Sequence, residues 1–267
     1  MVLVRDLSDA QVRDFFDVGF VLVHELFSTF EVARMRAAFA RLEQTARALR
    51  EPGMVRGSQF VVDRREDDAA PARIHRVVWC GAAEPVLSEF GRHPRLVRIA
   101  AQLLGSSTMS QLINQAHFKF PGDGVEFPWH QDSKHRRYGS DEWRDVNGSG
   151  SYVQSAMALD AVTEASGPIE FIAESSRQGH LDIPADGRLP ESVDASRAVA
   201  PLPRPGDVIF FGPYTVHRSL PNRSARPRRT FINGFAYPGA NSRVYPGEGA
   251  GRTCERRDDD APRAAAG

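Results

Sequence analysis

The chain has 267 residues, of which 41% are hydrophobic, so it can bury a substantial core, and we expect one large domain. Lys and Arg together number 34, as do Asp and Glu, and this balance argues against nucleic acid or a membrane as partner. With two cysteines and no apolar run near the roughly 20 residues of a membrane helix, we expect a cytoplasmic protein.

Helical patterns dominate the first part of the chain. Ser8 caps a predicted helix in "LSDAQVRDFFDVG", which is followed by the strand-like run "FVLVHEL". Ser28 and Glu31 form a capping-box pattern at the start of the longest predicted helix. Two shorter helices are predicted in "PVLSEFG" and "PRLVRIAAQLLG", the second ending at Gly105. We therefore expect a helical layer over about residues 1–105.

From about residue 106 the pattern changes to short β-rich runs separated by turn residues. Five runs are predicted as strands: "SQLINQAHFKF", "SYVQSAMALD", "GPIEFIA", "GDVIFFG" and "RRTFINGFAY". Their spacing is typical of a β-sandwich or barrel, so residues 106–240 are predicted to form an all-β core flanked by the N-terminal helices, an α+β arrangement. A long loop over 133–150 and a flexible tail over 252–267 complete the single domain expected over 1–251.

The stretch "WHQD" suggests a metal site. On a strand, residues two apart project to the same face, so His130 and Asp132 could ligate one ion. A third ligand, His217, follows a later strand and a Gly-Pro turn. Two imidazoles and one carboxylate hold ferrous iron and leave positions open for small ligands. Each residue taken alone could equally be an ordinary core or surface side chain.

Two adjacent arginines open the strand "RRTFINGF". Alternation places Arg228 and Arg229 on opposite faces, so one of them must point inward. A buried guanidinium needs an anionic partner, and the sequence offers no obvious internal carboxylate. A bound dicarboxylate is therefore a plausible partner.

Together, "WHQD", "LDAVTEASGPIEFI", "PGDVIFF" and "HRSLPNRSARPRR" resemble the phytanoyl-CoA dioxygenase family of iron(II)- and 2-oxoglutarate-dependent oxygenases. The resemblance implies a double-stranded β-helix, a cupin-like jelly roll. It also implies that the three ligands bind Fe(II), and that dioxygen is a cosubstrate beside 2-oxoglutarate. The residues that it assigns to 2-oxoglutarate are Arg228 and Ser219 at the distal carboxylate, with Gln131 and Gln115 lining the site.

The implied activity is hydroxylation, or another oxidation, of an unactivated C–H bond of a small molecule in secondary metabolism, releasing succinate and carbon dioxide. Two alternatives stay open: a cupin-like metal enzyme that does not use 2-oxoglutarate, and a non-catalytic jelly-roll binding protein. Nothing in the sequence favours a particular oligomeric state. Where relatives often carry Trp, Ala156 is expected to enlarge the pocket or to leave space for Gln154. The candidate substrate residues are His117, Lys119, Arg136, Tyr138, Trp143 and Gln154.

Overall fold

The structure, a computed structural model, describes residues 6–63, 72–245 and 252–256. The helices in this part of the chain are α1 Asp9–Asp17, α2 Thr29–Arg47, α3 Cys80–Ala83, α4 Pro85–Gly91, α5 Pro94–Leu104 and α6 Asp132–His135. The strands are β1 Phe20–Val23, β2 Gly53–Val55, β3 Ser58–Val62, β4 Ile74–Val78, β5 Thr108–Lys119, β6 Phe127–His130, β7 Tyr152–Ala158, β8 Ile169–Ile172, β9 Ala198–Val199, β10 Val208–Phe211, β11 His217–Ser219, β12 Arg228–Ala236 and β13 Arg252–Glu255.

The predicted helices form where their capping signals lie. The Ser28 side chain accepts a hydrogen bond from the Glu31 amide, and the Glu31 carboxylate accepts one from the Ser28 amide, at 3.3 and 2.8 Å. This reciprocal box satisfies two amides that have no partner inside the helix. At the other end of the helical layer, Gly105 adopts φ 67°, the left-handed conformation that commonly ends a helix. None of the described helices combines the length and apolar character that a bilayer crossing requires.

Two antiparallel sheets make up the β core. Among the described residues, the large sheet has the order β1-β10-β7-β12-β5-β4-β3-β2, with β13 added beside β5, and the small sheet has the order β6-β11-β8-β9. The five strands predicted from sequence correspond to β5, β7, β8, β10 and β12. Sequence reasoning did not find β2, β3 and β4, which lie inside the expected helical layer. The turn between β2 and β3 uses Arg56 and Gly57, both at positive φ, the chemistry of a two-residue hairpin.

The expected flexible tail is partly wrong. Arg252–Glu255 pairs antiparallel with Thr108–Gln111 at the start of β5. That segment of β5 has a free edge because β4 pairs only with residues 115–117. Cys254 also faces the core, where it is 3% exposed, so the added strand is held by packing as well as by hydrogen bonds. Residues 257–267 of the predicted tail lie outside the described part of the chain.

Alternation along β5 and β12 separates the core from a cavity. On one face, Phe118 and Phe231 pack against Phe39 of α2, with ring centroids 5.1 and 6.3 Å apart. The opposite face carries Gln115, His117 and Lys119 on β5, and Arg228 and Ile232 on β12; all five line a cavity beside the small sheet. Helices therefore cover one side of the large sheet, and the cavity opens on the other.

Candidate active site

The three predicted metal ligands meet at the ends of two paired strands. His130 ends β6 and lies opposite His217, which begins β11, in antiparallel register. Asp132 is the first residue of α6, two positions beyond His130. One ligand atom from each of the three residues lies within 4.8 Å of the other two. The set can therefore hold a single metal ion.

Hydrogen bonds orient both imidazoles for ligation. The Nδ1 atom of His130 lies 2.8 Å from the Pro128 carbonyl, and that of His217 lies 2.9 Å from the Thr215 carbonyl. A carbonyl only accepts, so each Nδ1 carries the hydrogen and each Nε2 is left for a metal. Asp132 Oδ2 is buried without a hydrogen-bond partner among the described residues. An orphaned carboxylate oxygen beside two such imidazoles is the donor set that ferrous iron takes.

The protonation states also suit a metal. Burial, reinforced by the neighbouring His130, lowers the pKa of His217 to about 3, so its ring is neutral. Burial alone would raise the pKa of Asp132, but the electrostatic interactions with the neighbouring His217 and Arg136 outweigh it and hold the pKa below its usual value. The site therefore presents a neutral imidazole and an ionised carboxylate near neutral pH.

A cavity of about 340 Å³ surrounds the three ligands. This volume lies near the lower end of the range for small-molecule sites, roughly 300–1,000 Å³. Further sequence-predicted residues that line the cavity are Ser219, Gln115, His117, Lys119, Arg136, Gln154 and Arg228. The structure thus brings together most of the candidate side chains in one space.

Arg228 faces the cavity as a buried cation without a carboxylate partner among the described residues. Its guanidinium donates to the Thr230 hydroxyl at 2.5 Å, the Gly167 carbonyl at 2.7 Å and the Ser219 hydroxyl at 3.0 Å, and its Nε atom has no partner. Burial lowers the pKa of Arg228 to about 10, partly offset by Asp123 and Asp160. A bound anion would supply the charge that the protein does not.

Arg229, the next residue, lies on the other face and is already paired. Its Nε and Nη2 atoms donate to the two carboxylate oxygens of Asp160 at 2.8 and 2.7 Å. This bidentate pair satisfies the guanidinium internally. Of the two adjacent arginines, only Arg228 is placed to hold an external anion.

Three candidate residues do not line the cavity. Gln131, expected beside the cosubstrate, donates to the Gly179 and Tyr214 carbonyls at 2.9 and 2.6 Å, and it accepts from the Leu181 amide at 2.7 Å. Its side chain therefore links three backbone segments by hydrogen bonds. Tyr138 and Trp143, expected to contact substrate, belong to the 133–150 loop and stack on each other, with ring centroids 5.3 Å apart.

The 133–150 loop is held by local hydrogen bonds. The Asp145 carboxylate accepts from the Gly148 and Gly150 amides at 3.0 and 2.9 Å and from the Tyr214 hydroxyl at 3.1 Å. Trp143 forms an isolated β-bridge with Asn241. These contacts give the loop a defined conformation.

Ala156 does not line the main cavity, so the expectation that it enlarges this cavity is not met. It lines a separate space of about 10 Å³, bounded in part by Ile209 and Thr230. That volume holds about one water molecule at most. Gln154, two residues earlier, does line the main cavity, and its Oε1 atom accepts a hydrogen bond from the Tyr152 hydroxyl at 2.6 Å.

Several cavity residues were missed by sequence reasoning. Arg76 lies on β4, opposite His117 in the register of β4 and β5, and β4 itself was not predicted. His135, Arg243 and Tyr245 also line the cavity. Only the alternation of "IHRVV" could have indicated a strand at Arg76, and no local pattern singles out the others.

The cavity is strongly cationic. Among the described residues, it is lined by five Lys and Arg side chains and a single carboxylate, that of Asp132. Burial, with the nearby charges of Arg76 and Arg228, lowers the pKa of His117 to about 3, so this histidine adds no charge near neutral pH. The excess of positive charge favours anionic ligands.

Comparison with known proteins agrees with this geometry. A family model described as "Phytanoyl-CoA dioxygenase (PhyH)" matches residues 15–230. The chain is 27% identical to an ectoine dioxygenase of Bordetella parapertussis, over 83% of this chain and 73% of that protein. It is also 27% identical to the L-proline trans-4-hydroxylase of Streptomyces griseoviridis, over 85% of each chain.

A solved structure is similar over nearly the whole fold. EvdO2 from Micromonospora carbonacea var. aurantiaca, complexed with 2-oxoglutarate, superposes with a TM-score of 0.64 at 22% identity, covering 92% of this chain and 98% of that one. The similarity confirms the predicted fold class, a double-stranded β-helix flanked by helices.

Proposed function

Because the chain belongs to the phytanoyl-CoA dioxygenase family, we propose that it is an Fe(II)- and 2-oxoglutarate-dependent dioxygenase that hydroxylates an unactivated C–H bond of a small molecule. Succinate and carbon dioxide are the coproducts. The observation that carries this function is the convergence of His130, Asp132 and His217, with both Nε2 atoms and one carboxylate oxygen available, in a cavity that also contains Arg228.

Each residue of the site has a role in this reaction. His130, Asp132 and His217 hold the ferrous ion, and the carbonyls of Pro128 and Thr215 fix the two imidazole rings. The chemistry that a bound ferrous ion supplies is the activation of dioxygen, coupled to oxidative decarboxylation of 2-oxoglutarate. The protein residues contribute position and exclude water.

Arg228 is assigned to the distal carboxylate of 2-oxoglutarate. Its partners Thr230, Gly167 and Ser219 hold the guanidinium in place, since all three accept its hydrogen bonds. The Ser219 hydroxyl accepts from Arg228 and donates to the Gly167 carbonyl across 3.5 Å, a long contact that a bound carboxylate would replace. The Gln115 Oε1 atom accepts a hydrogen bond from His117 Nε2 at 2.8 Å, and Gln115 contributes to the wall of the cosubstrate site.

The substrate is a small molecule. The cavity of about 340 Å³ must hold 2-oxoglutarate as well, which leaves room for a compact second molecule. The reported relatives are named for action on ectoine and on L-proline, both small metabolites. The free cysteines Cys80 and Cys254, both buried, agree with a cytoplasmic location.

One alternative is a cupin-like metal enzyme that does not use 2-oxoglutarate. Such an enzyme would have no use for a buried guanidinium facing the metal cavity. Arg228 faces that cavity and has no carboxylate partner among the described residues, which favours the dioxygenase.

Succinate formation tests the proposal. Purified protein is reconstituted with Fe(II) without oxygen and then supplied with 2-oxoglutarate and dioxygen. The expected result is slow succinate release by the parent chain, increased by a true substrate, and no release by His217→Ala. Equal succinate release by the parent and by His217→Ala would overturn the proposed function.

A further inference from the structure

A second cationic centre lies in the cavity around Tyr245. The guanidinium carbons of Arg136 and Arg243 lie 4.9 and 5.0 Å from the centroid of the Tyr245 ring. Arg136 also lies over Tyr152, at 5.1 Å, so two aromatic rings pack against one guanidinium. All three of Arg136, Arg243 and Tyr245 line the cavity.

Arg136 has unused donors inside this centre. The residue is 6% exposed, and its Nε and Nη1 atoms are buried without a hydrogen-bond partner among the described residues. A buried guanidinium with unmet donors is costly unless a ligand or ordered water completes it. The aromatic rings pack against the cation, and the Nε and Nη1 donors stay without a partner among the described residues.

Among the described residues, Asp132 is the one carboxylate that lines the cavity, and it belongs to the metal-binding set. Asp132, a divalent ion and a doubly charged 2-oxoglutarate together carry one net negative charge, whereas the described lining contains five Lys and Arg side chains. A positive excess therefore remains in the described part of the cavity when the proposed cofactors are bound.

This centre is separate from the site assigned to 2-oxoglutarate. Arg228 begins β12, whereas Tyr152 pairs with Ala236 at the end of the same strand. Eight residues of strand span roughly 26 Å. The two cationic centres therefore lie toward opposite ends of β12. Arg228 is assigned to 2-oxoglutarate, which leaves the second centre available to another ligand.

We propose that the substrate is a small acid whose carboxylate, phosphonate or phosphate group binds at Arg136 and Arg243, which directs the remainder of the molecule toward the metal ligands. The proposal rests on the proposed function, because it assigns the substrate class of that same cavity. Planar guanidinium groups suit oxyanions of this kind because they can donate two parallel hydrogen bonds.

The experiment compares acids with matched neutral molecules. The probes are benzoate with benzamide, and methylphosphonate with its dimethyl ester. Each is titrated anaerobically into the protein loaded with Fe(II) and 2-oxoglutarate, following the charge-transfer absorption of the complex. Binding is measured independently as the shift in melting temperature of the Fe(II)-loaded protein, so that the result does not depend on 2-oxoglutarate.

The variants are Arg243→Gln, Arg136→Gln and a control, Arg13→Gln, which removes an exposed charge on α1. We expect at least one acid to bind and its neutral partner to bind at least about 10-fold more weakly. Loss of a charged hydrogen-bond partner in Arg243→Gln should weaken the acid about 10- to 100-fold, with no change in Arg13→Gln. Arg243 is only partly buried, so this variant keeps the test valid if Arg136→Gln fails to fold.

Three results would overturn the proposed acid site: no acid binds, neutral partners bind as tightly as acids, or acid binding is unchanged in Arg243→Gln and in any folded Arg136→Gln. Failure of the proposed function has a different signature. In that case the parent chain gives no 2-oxoglutarate absorption, while the melting-temperature assay still reports whether acids bind at Arg243.

Discussion

His130 and His217 lie directly opposite each other on neighbouring antiparallel strands, with their ring centroids 4.2 Å apart. In each case the Nδ1 atom is held by the carbonyl of the residue two positions earlier on the same strand or turn, Pro128 or Thr215. The pairing of β6 with β11 thus positions both imidazoles at once. Residues 87 positions apart in sequence form one site because of this strand register.

The first prediction concerns the metal. His217→Ala should remove one of the three ligands and weaken iron binding. Loss of a residue that only hydrogen-bonds to a ligand lowers metal affinity roughly 10- to 100-fold, and loss of the ligand itself should lower it more. The fold should stay intact, since the paired strand β11 keeps its backbone hydrogen bonds. Iron content per chain after reconstitution and dialysis, together with circular dichroism, measures both effects.

His24→Ala is the matched control. This histidine is 69% exposed in its side chain, and its Asp207 partner keeps the Glu25 and Arg204 amides as hydrogen-bond donors. The His24→Ala variant should bind iron as the parent does. Full iron content in His217→Ala would remove His217 from the ligand set.

The second prediction concerns pH. Burial, with the charge of Arg228, lowers the pKa of Lys119 to about 7, although Asp123 and Glu126 act in the opposite direction. Between pH 7 and the ordinary value of 10.5, the unfolded chain holds a proton on this group that the folded chain does not. The free energy of unfolding therefore rises with pH across that window as the folded chain loses the buried charge. Below pH 7 both states hold the proton, so Lys119 causes no further pH dependence and its buried charge lowers the stability fully.

Lys119 also lies opposite Arg228 in the register of β5 and β12. A carboxylate bound at Arg228 should raise the pKa of Lys119, so 2-oxoglutarate should bind with proton uptake. Its affinity is then expected to fall as pH rises above 7, by at most about tenfold per pH unit. Calorimetric titrations in buffers of different ionisation enthalpy measure the proton uptake. The same uptake in Lys119→Met would contradict this assignment.

The third prediction concerns the 133–150 loop. Asp145→Ala removes the acceptor for the Gly148 and Gly150 amides and for Tyr214, so the loop should open more readily. We expect faster cleavage within 139–150 by a nonspecific protease and a loss of about 1–2 kcal/mol in the free energy of unfolding. Asp141→Ala, at an exposed position of the same loop, is the control. Equal cleavage of the two variants would show that Asp145 does not order the loop.

Short-range periodicity predicted the parts of the site that lie on strands. The alternation at Arg228 and Arg229 depends only on the local geometry of β12, whereas Asp132, expected on one strand with His130, is the first residue of α6. Gln131, expected beside the cosubstrate, does not line the cavity. It lies where β6 gives way to α6, and its side chain turns to backbone groups of Gly179, Leu181 and Tyr214.

Long-range pairing explains what the sequence could not predict. Arg76 reaches the cavity because β4 pairs with β5, and Cys254 reaches the core because β13 fills the free edge of the same strand. Tyr245 and Arg136 meet through the loop that follows the metal ligands. None of these contacts has a periodic or motif signal, since each depends on the register of distant segments.

Variants of two adjacent arginines test whether Arg228 holds 2-oxoglutarate beside the iron site. Arg228→Ala removes the guanidinium that faces the cavity from β12. Arg229→Ala breaks the ion pair with Asp160 on the other face of the strand. Loss of one partner of a buried charge pair costs about 2–5 kcal/mol, equivalent to roughly thirtyfold to several-thousandfold in affinity. Ser219→Ala, which loses a neutral hydrogen bond, should cost only about 1 kcal/mol.

The most direct measurement is an anaerobic titration of 2-oxoglutarate into the Fe(II)-loaded parent, Arg228→Ala and Arg229→Ala, following the charge-transfer absorption. We expect Arg228→Ala to bind 2-oxoglutarate at least about thirtyfold more weakly than the parent, with unchanged iron content. Arg229→Ala should bind it as the parent does but unfold more easily. Parent-like affinity in Arg228→Ala would show that Arg228 does not hold 2-oxoglutarate.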